Sequence, residues 1–100
     1  MKLIRQHEHQ LYQVCQMSQV DKLYVFGSIL TDKFDENSDI DMLVSIASDD
    51  PIEYTEYYFY LKFELEQIFN RKIDLVEEKA TKNEWFKAEL NNTKTLVYYR

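Results

Sequence analysis

The spacing of apolar residues changes along the chain, and each spacing predicts a different element. The first segment places apolar residues at helical intervals among glutamines and charged residues: Leu3, Ile4, Leu11, Val14 and Cys15. This pattern predicts an amphipathic helix from Leu3 to about Met17. A short run of strand-forming residues from Leu23 to Phe26 ends at Gly27, which predicts a strand that enters a turn.

The middle of the chain contains a second strand signal followed by a long helix signal. The apolar run IDMLVSI, from Ile40 to Ile46, is rich in strand formers and predicts a strand that begins near Asp39. The sequence DPIE then supplies an N-cap at Asp50, a first-turn proline and a capping-box glutamate, so we predict a helix from Pro51 to about Phe69. Its predicted apolar face carries Tyr54, Tyr57 or Tyr58, Leu61, Leu65 and Ile68.

The last third of the chain repeats the alternation of strand and helix. The sequence KIDLVE, from Lys72 to Glu77, predicts a third strand, and residues 95–99 predict a fourth. Between them, the capping box from Thr81 to Glu84 predicts a helix that extends to about Leu90. The order of elements predicts an α/β (α+β) fold, in which residues 1–100 form one domain with a small mixed sheet flanked by helices, mostly on one side.

Composition and charge limit the classes of partner. The formal net charge of −6 opposes binding to long DNA or RNA, because such binding depends largely on lysine and arginine. A single nucleoside triphosphate remains compatible, since a divalent metal can bridge carboxylates and phosphates. The lone Cys15, the absence of an apolar leader and the absence of a long apolar run predict a cytoplasmic protein with no membrane contact.

Three aspartates and one glycine form the candidate chemistry. Asp39 and Asp41 are two residues apart at the start of a strand, so their side chains share a face, and Asp74 interrupts a later apolar strand. Carboxylate oxygens of this kind suit Mg²⁺ or Mn²⁺. Gly27, which lacks a Cβ, and the Ser28 hydroxyl lie where a phosphate can approach the backbone closely.

The arrangement of these residues resembles a known family. Gly27-Ser28, ten further residues, the sequence Asp39-Ile40-Asp41, and a later Asp74 are similar to the pattern of minimal nucleotidyltransferases (MNT) of the DNA polymerase β superfamily. The resemblance implies a polymerase β palm-like fold. It also implies metal-dependent transfer of a nucleoside monophosphate from a triphosphate, with release of pyrophosphate.

The resemblance also assigns roles and a partner. Asp39 and Asp41 would ligate the metal ions, Asp74 would complete one metal site and help to activate the attacking hydroxyl, and Gly27 and Ser28 would hold the triphosphate of ATP. Small relatives often act as antitoxins that transfer AMP to a tyrosine of a HEPN-domain toxin, so a HEPN toxin is the implied partner, in a homo-oligomer or hetero-oligomer. We expect the aromatic helix, with Tyr54, Tyr57, Tyr58, Phe59 and Tyr60, to pack in the core or to form the interface.

Two alternative functions stay open at this point. The family commonly has a small residue, an arginine and a glycine where this chain has Leu30, Thr31 and Asp32. The first alternative is therefore a catalytically weakened binding module that neutralises its partner by direct contact. The second is an antibiotic-modifying enzyme that takes its second domain from another chain.

A calcium loop is a further interpretation of the alternating polar residues Asp35, Asn37, Asp39 and Asp41. The required glycine at the sixth position is replaced by Ile40, and the required glutamate at the twelfth is replaced by Ile46. The sequence therefore disfavours an EF-hand site.

Overall fold

The computed structural model describes all residues, Met1–Arg100, and contains four α-helices and four β-strands. In chain order the elements are α1 (Lys2–Gln6), α2 (Glu8–Met17), β1 (Val20–Phe26), β2 (Ile40–Ile46), α3 (Pro51–Phe69), β3 (Ile73–Glu77), α4 (Glu84–Thr93) and β4 (Thr95–Tyr99). Short 3-10 turns cover Gly27–Leu30 and Glu78–Ala80. The predicted bounds of β2, α3 and β4 agree with the structure.

The four strands form one mixed sheet in the order β3-β2-β1-β4. Strand β1 pairs antiparallel with both β2 and β4, whereas β2 and β3 are parallel. The parallel pair requires a crossover, and α3 supplies it, because parallel neighbours cannot be joined by a tight turn. This crossover places β2 and β3 side by side, so the strands that carry Asp41 and Asp74 are neighbours.

Alternate residues of each strand point to opposite faces of the sheet. On β2, the even-numbered residues Ile40, Met42, Val44 and Ile46 are buried in the main hydrophobic core. Helices α2 and α3 cover this face, and Leu11, Leu61 and Leu65 contribute fully buried side chains to the core. Burial also raises the pKa of Cys15 to about 12, as expected for a packed thiol.

The opposite face is covered only in part, by α4. The ring of Phe86 on α4 meets the ring of Phe26 edge to face, with 6.1 Å between centroids. The ammonium group of Lys94 lies 4.2 Å from the centroid of the Tyr24 ring. The prediction of a small mixed sheet covered mostly on one side is confirmed.

The start and end of α3 follow from local chemistry. The Asp50 carboxylate accepts hydrogen bonds from the backbone amides of Ile52 and Glu53, at 3.0 and 3.5 Å, which satisfies two amides that lack helical partners. At the other end, Asn70 adopts a left-handed conformation with φ of 51°, a common helix terminator. The sequence pattern therefore predicts this helix well.

The prediction of one uninterrupted N-terminal helix was wrong, because the helix breaks at His7. This residue has φ of −120° and ψ of 19°, and its Nδ1 lies 3.0 Å from the Leu3 carbonyl oxygen. Its ring also contacts the Phe69 ring edge to face, with 5.2 Å between centroids. A contact with the end of α3 thus accompanies a break that local periodicity does not reveal.

The predicted capping box at Thr81 was also wrong by two residues. Helix α4 begins at Glu84, and the Asn83 side chain caps it by accepting a hydrogen bond from the Phe86 amide at 3.0 Å. The Thr81 hydroxyl instead donates to the Glu77 carbonyl at 3.1 Å. Asparagine and threonine are both good N-caps, so the sequence offered two starts and the fold uses the second.

No helix of the chain combines the length and the apolar character that crossing a bilayer requires.

Candidate functional site

Two of the three predicted acids lie side by side on the open face of the sheet. Asp41 on β2 and Asp74 on β3 are direct partners in the parallel register. Because neighbouring strands are about 4.8 Å apart, two such side chains on one face come into contact range. Asp74 also contributes to the electrostatics of Asp41 both as a charge and as a hydrogen-bonding partner.

The site glycine lies directly against one of these acids. Gly27 has φ of +75°, a conformation that side-chain-bearing residues rarely adopt. A Cβ placed on Gly27 would overlap with the Asp41 Oδ2 atom. Glycine is therefore needed at this position for two reasons, the turn after β1 and the close approach of the backbone to the Asp41 carboxylate.

Asp39 lies just before β2, near the other two acids but less enclosed. Its side chain is 50% exposed, and its Oδ2 atom is 4.0 Å from the Lys72 ammonium nitrogen. Its negative charge still contributes to the raised pKa of Asp41. No three His, Cys, Asp or Glu side chains in residues 1–100 are gathered as a ready-made metal site.

Electrostatics single out Asp41 among the acids. Its pKa is raised above the ordinary value, first by burial, then by the negative charges of Asp74 and Asp39, and also by a hydrogen bond with Asp74. Burial, the neighbouring charges and the hydrogen bond all disfavour a bare carboxylate, and a bound cation would offset the charge repulsion. The donor set consists of carboxylate oxygens alone, which fits a hard divalent cation of the magnesium type.

The turn after β1 places Ser28 beside this face. Ser28 belongs to the 3-10 turn Gly27–Leu30 and is half-buried. Its carbonyl oxygen accepts hydrogen bonds from the Thr31 amide and hydroxyl, at 2.9 and 2.8 Å. Thr31, at the position where the resembling family commonly has arginine, thus closes the turn.

A positioning residue that the sequence analysis missed is Arg71. Its guanidinium donates hydrogen bonds from Nη1 to the carbonyl oxygens of Asp35 and Ser38, at 3.0 and 2.8 Å, and lies 4.8 Å from the centroid of the Phe34 ring. These contacts hold the loop that leads into Asp39. No local pattern around Arg71 signals this role, because all its partners are distant in the sequence.

The same loop explains the alternating polar residues that resemble a calcium loop. The Asp35 carboxylate accepts hydrogen bonds from the Asn37 amide and the Ser38 hydroxyl, at 2.9 and 3.1 Å. Asp35 therefore stabilises its own turn, as aspartate commonly does in loops.

Comparison with known proteins places the chain in a family. The sequence profile described as "Polymerase beta, Nucleotidyltransferase" matches residues 9–100. A candidate protein adenylyltransferase of Methanocaldococcus jannaschii is 29% identical over 79 residues, which cover 79% of this chain and 76% of the relative.

Solved structures share the fold. A candidate minimal nucleotidyltransferase superposes with a TM-score of 0.76 and 20% identity, over 94% of this chain and 92% of the other. A toxin-antitoxin structure with AMP-PNP gives a TM-score of 0.69 with 21% identity, over 93% and 73% of the two chains. A complex of a tri-AMPylated Shewanella oneidensis HEPN toxin with an MNT antitoxin gives 0.64 and 18%, over 96% and 72%.

The profile spans nearly the whole chain, and the solved structures superpose on more than nine tenths of it. We conclude that this chain belongs to the polymerase beta nucleotidyltransferase family.

Proposed function

We propose that the protein is a metal-dependent nucleotidyltransferase that transfers AMP from ATP to a tyrosine hydroxyl of a HEPN-domain toxin, and thereby acts as its antitoxin. The observation that carries this proposal is the pairing of Asp41 with Asp74 on adjacent strands, with Gly27 packed against Asp41. The family membership and the similarity to a candidate protein adenylyltransferase support the reaction class.

Each residue of the site has a role in this proposal. Asp41 and Asp74 would hold Mg²⁺ or Mn²⁺, and Asp39, whose carboxylate is half exposed beside Lys72, would be the third ligand. Such an ion neutralises phosphate charge and lowers the pKa of a nearby hydroxyl. Gly27 and Ser28 bind the triphosphate through the exposed backbone of their turn.

The bond changes follow from this placement. The tyrosine oxygen of the partner attacks the α-phosphorus of ATP, and its proton passes to the Asp74 carboxylate. The bond between the α-phosphorus and the bridging oxygen breaks, so pyrophosphate leaves. The transferred AMP then forms a phosphodiester with tyrosine.

The choice of partner rests on the complexes described above and on an exposed surface of α3. Structures with this fold include a HEPN toxin bound to an MNT antitoxin. On α3, Phe59 and Phe63 are each 60% exposed and lie one turn apart, with Ile52 75% exposed two turns before Phe59. Tyr54, in contrast, is buried, so only some of the aromatic residues of α3 are exposed to a partner.

The decisive experiment measures transfer to the cognate HEPN protein. We expect a mass increase of whole AMP units on the partner with ATP and Mg²⁺ or Mn²⁺, and none after chelation. Asp41→Asn should lower the rate by at least about 100-fold, since it removes a carboxylate that would hold the divalent metal. Asp49→Asn, which neutralises an exposed acid beyond β2, is the matched control and should retain the rate.

A second function is favoured by one specific observation. Thr31 and Asp32 stand where the resembling family commonly has arginine and glycine, and the Thr31 hydroxyl is engaged with the Ser28 carbonyl. If the purified partner is bound and neutralised without any transfer, while Asp41→Asn neutralises it equally well, the protein is a binding module and the proposed chemistry is refuted.

A further inference from the structure

A cavity of about 410 Å³ lies on the same side of the sheet as the acids, over the second half of β2 and beneath α4. Leu43 and Leu90 supply apolar wall, and Ser45 and Asn91 supply polar groups. Its volume falls within the range of ordinary small-molecule sites. Along β2, Ser45 is four residues from Asp41, or about 13 Å at the rise of an extended strand.

The charges around this cavity are mainly positive, whereas the acid pair Asp41 and Asp74 and the protein as a whole are negative. Lys79, Lys87 and Lys94 line it, and they outnumber the two nearby acids, Glu78 in the lining and Glu77 near Tyr54. The chain as a whole carries a net charge of −6. Lysines gathered around a concave surface attract anions, and partly enclosing walls strengthen that attraction.

An unpartnered hydroxyl is the second observation that points to a ligand. Tyr54 lines the cavity, is 8% exposed, and its hydroxyl oxygen has neither solvent contact nor a hydrogen-bond partner. Burial raises the pKa of Tyr54, and the nearby Glu77 carboxylate adds to this rise without forming a hydrogen bond of ordinary geometry. Buried hydroxyls usually have a partner, so this one is available to a ligand.

The lysines are already arranged around aromatic rings. The Lys79 ammonium lies 4.0 Å from the centroid of the Tyr54 ring, and that of Lys94 lies 4.2 Å from the Tyr24 ring. Lys87 makes no such contact and belongs to α4, one turn before Asn91. The cavity therefore combines apolar walls for a flat ring with ammonium groups and a hydroxyl for an anion.

We propose that this cavity is a second ligand site, which binds a nucleoside monophosphate without any divalent metal. The phosphate lies among Lys79, Lys87 and the Tyr54 hydroxyl, and the base packs between Leu43 and Leu90. The site is separate from the acid pair, which repels phosphate unless a cation is present. This inference does not depend on the proposed transfer reaction.

The test is titration of the whole protein with AMP in EDTA, followed by amide NMR and calorimetry. We expect saturable binding with a dissociation constant of about 1 mM or below, and with shifts at Leu43 and Leu90 larger than those at Gly27 and Ser28. Adenosine, which lacks phosphate, and inorganic phosphate, which lacks the base, should each bind at least about tenfold more weakly.

Two variants localise the site. Lys87→Ala should weaken AMP binding about tenfold, and Lys82→Ala, which removes an equal charge just outside the cavity, should leave it unchanged. Tyr54→Phe should weaken it about tenfold while the melting temperature is retained, because only an unpartnered hydroxyl is lost. Absence of binding in EDTA, binding equally sensitive to Lys82→Ala, or shifts centred on Gly27 would each overturn the proposal. None of these results depends on whether AMP is transferred to a partner.

Discussion

The two faces of the sheet are built from the same strands but differ in burial and in charge. On β2, Met42 faces the helices and is fully buried, while its neighbours Asp41 and Leu43 face the other side. The helical face is apolar and closed by α2 and α3. The opposite face carries the acid pair and is closed only by α4.

This difference shows where the fold gains stability and where it gives some up. Burial of apolar side chains on the helical face stabilises the protein by roughly 25 cal/mol for each Å² removed from water. On the other face, Asp41 is held beside Asp74, and its raised pKa reports that its charge is disfavoured there. The proposed site thus lies on the face whose own charges oppose folding.

Substitutions at the adjacent residues Met42 and Asp41 should have the largest difference in effect, because one removes core packing and the other removes a disfavoured charge. Met42→Ala removes a fully buried side chain and should lower the free energy of unfolding by about 2–5 kcal/mol. Asp41→Asn should instead raise the melting temperature slightly at pH 7 in EDTA, because it removes a charge that burial and Asp74 disfavour. Chemical denaturation and thermal unfolding measure both.

The pH dependence checks the sign of the Asp41 effect. A carboxyl whose pKa is raised on folding favours the native state below its unfolded pKa, and this contribution is lost as pH rises through the folded pKa. The advantage of Asp41→Asn should therefore be present at pH 7 and disappear below about pH 4. An advantage that is equal at both pH values would contradict the assigned cause.

A substitution at Gly27 tests both the stability of the turn after β1 and the position of the Asp41 carboxylate. Gly27→Ala should cost about 1–2 kcal/mol for its positive φ, and it should also displace the Asp41 carboxylate. Asn70→Ala is the matched control, since Asn70 has φ of 51° but lies at the end of α3. We expect Gly27→Ala to lose at least as much stability in denaturant as Asn70→Ala, with AMP transfer impaired only by Gly27→Ala. Equal activity of the two variants would show that the close approach to Asp41 is unimportant.

The sequence predicts the elements whose signals are local. The cap at Asp50 and the apolar run of β2 are read within a few residues, and the structure agrees with both. The break at His7 escapes prediction because it accompanies a contact with Phe69, and the start of α4 because Thr81 and Asn83 are both suitable caps.

The site divides in the same way. That Asp39 and Asp41 share a face follows from their spacing, and Asp74 stands out as a charge within an apolar strand. Its register opposite Asp41 depends on the crossover through α3, which local patterns do not specify. Arg71 could not be identified at all, because its hydrogen bonds reach a loop more than 30 residues earlier.

Glu66 provides the smallest test, on the helical side of the same strand pair. Its Oε2 atom accepts hydrogen bonds from the Ile73 amide at 3.2 Å and from the Lys62 ammonium at 3.1 Å, so it ties α3 to the start of β3. The Ile73 amide, followed by the Lys62 side chain, lowers the pKa of Glu66. Glu66→Gln should cost below about 1 kcal/mol at pH 7, because the side chain is partly exposed and solvent screens its charge.

A lowered pKa has the opposite linkage from that of Asp41. The stability that Glu66 contributes is present above its unfolded pKa, near 4.3, and is lost as pH falls through its lower folded value. The difference between wild type and Glu66→Gln should therefore shrink on acidification, as should the advantage of Asp41→Asn, but with the opposite sign. Glu64→Gln, which removes an equal charge from the same helix, is the control and should cost less stability than Glu66→Gln at pH 7. If Glu66→Gln were as stable as wild type at every pH, the carboxylate would not be holding β3, and the position of Asp74 would depend on strand pairing alone.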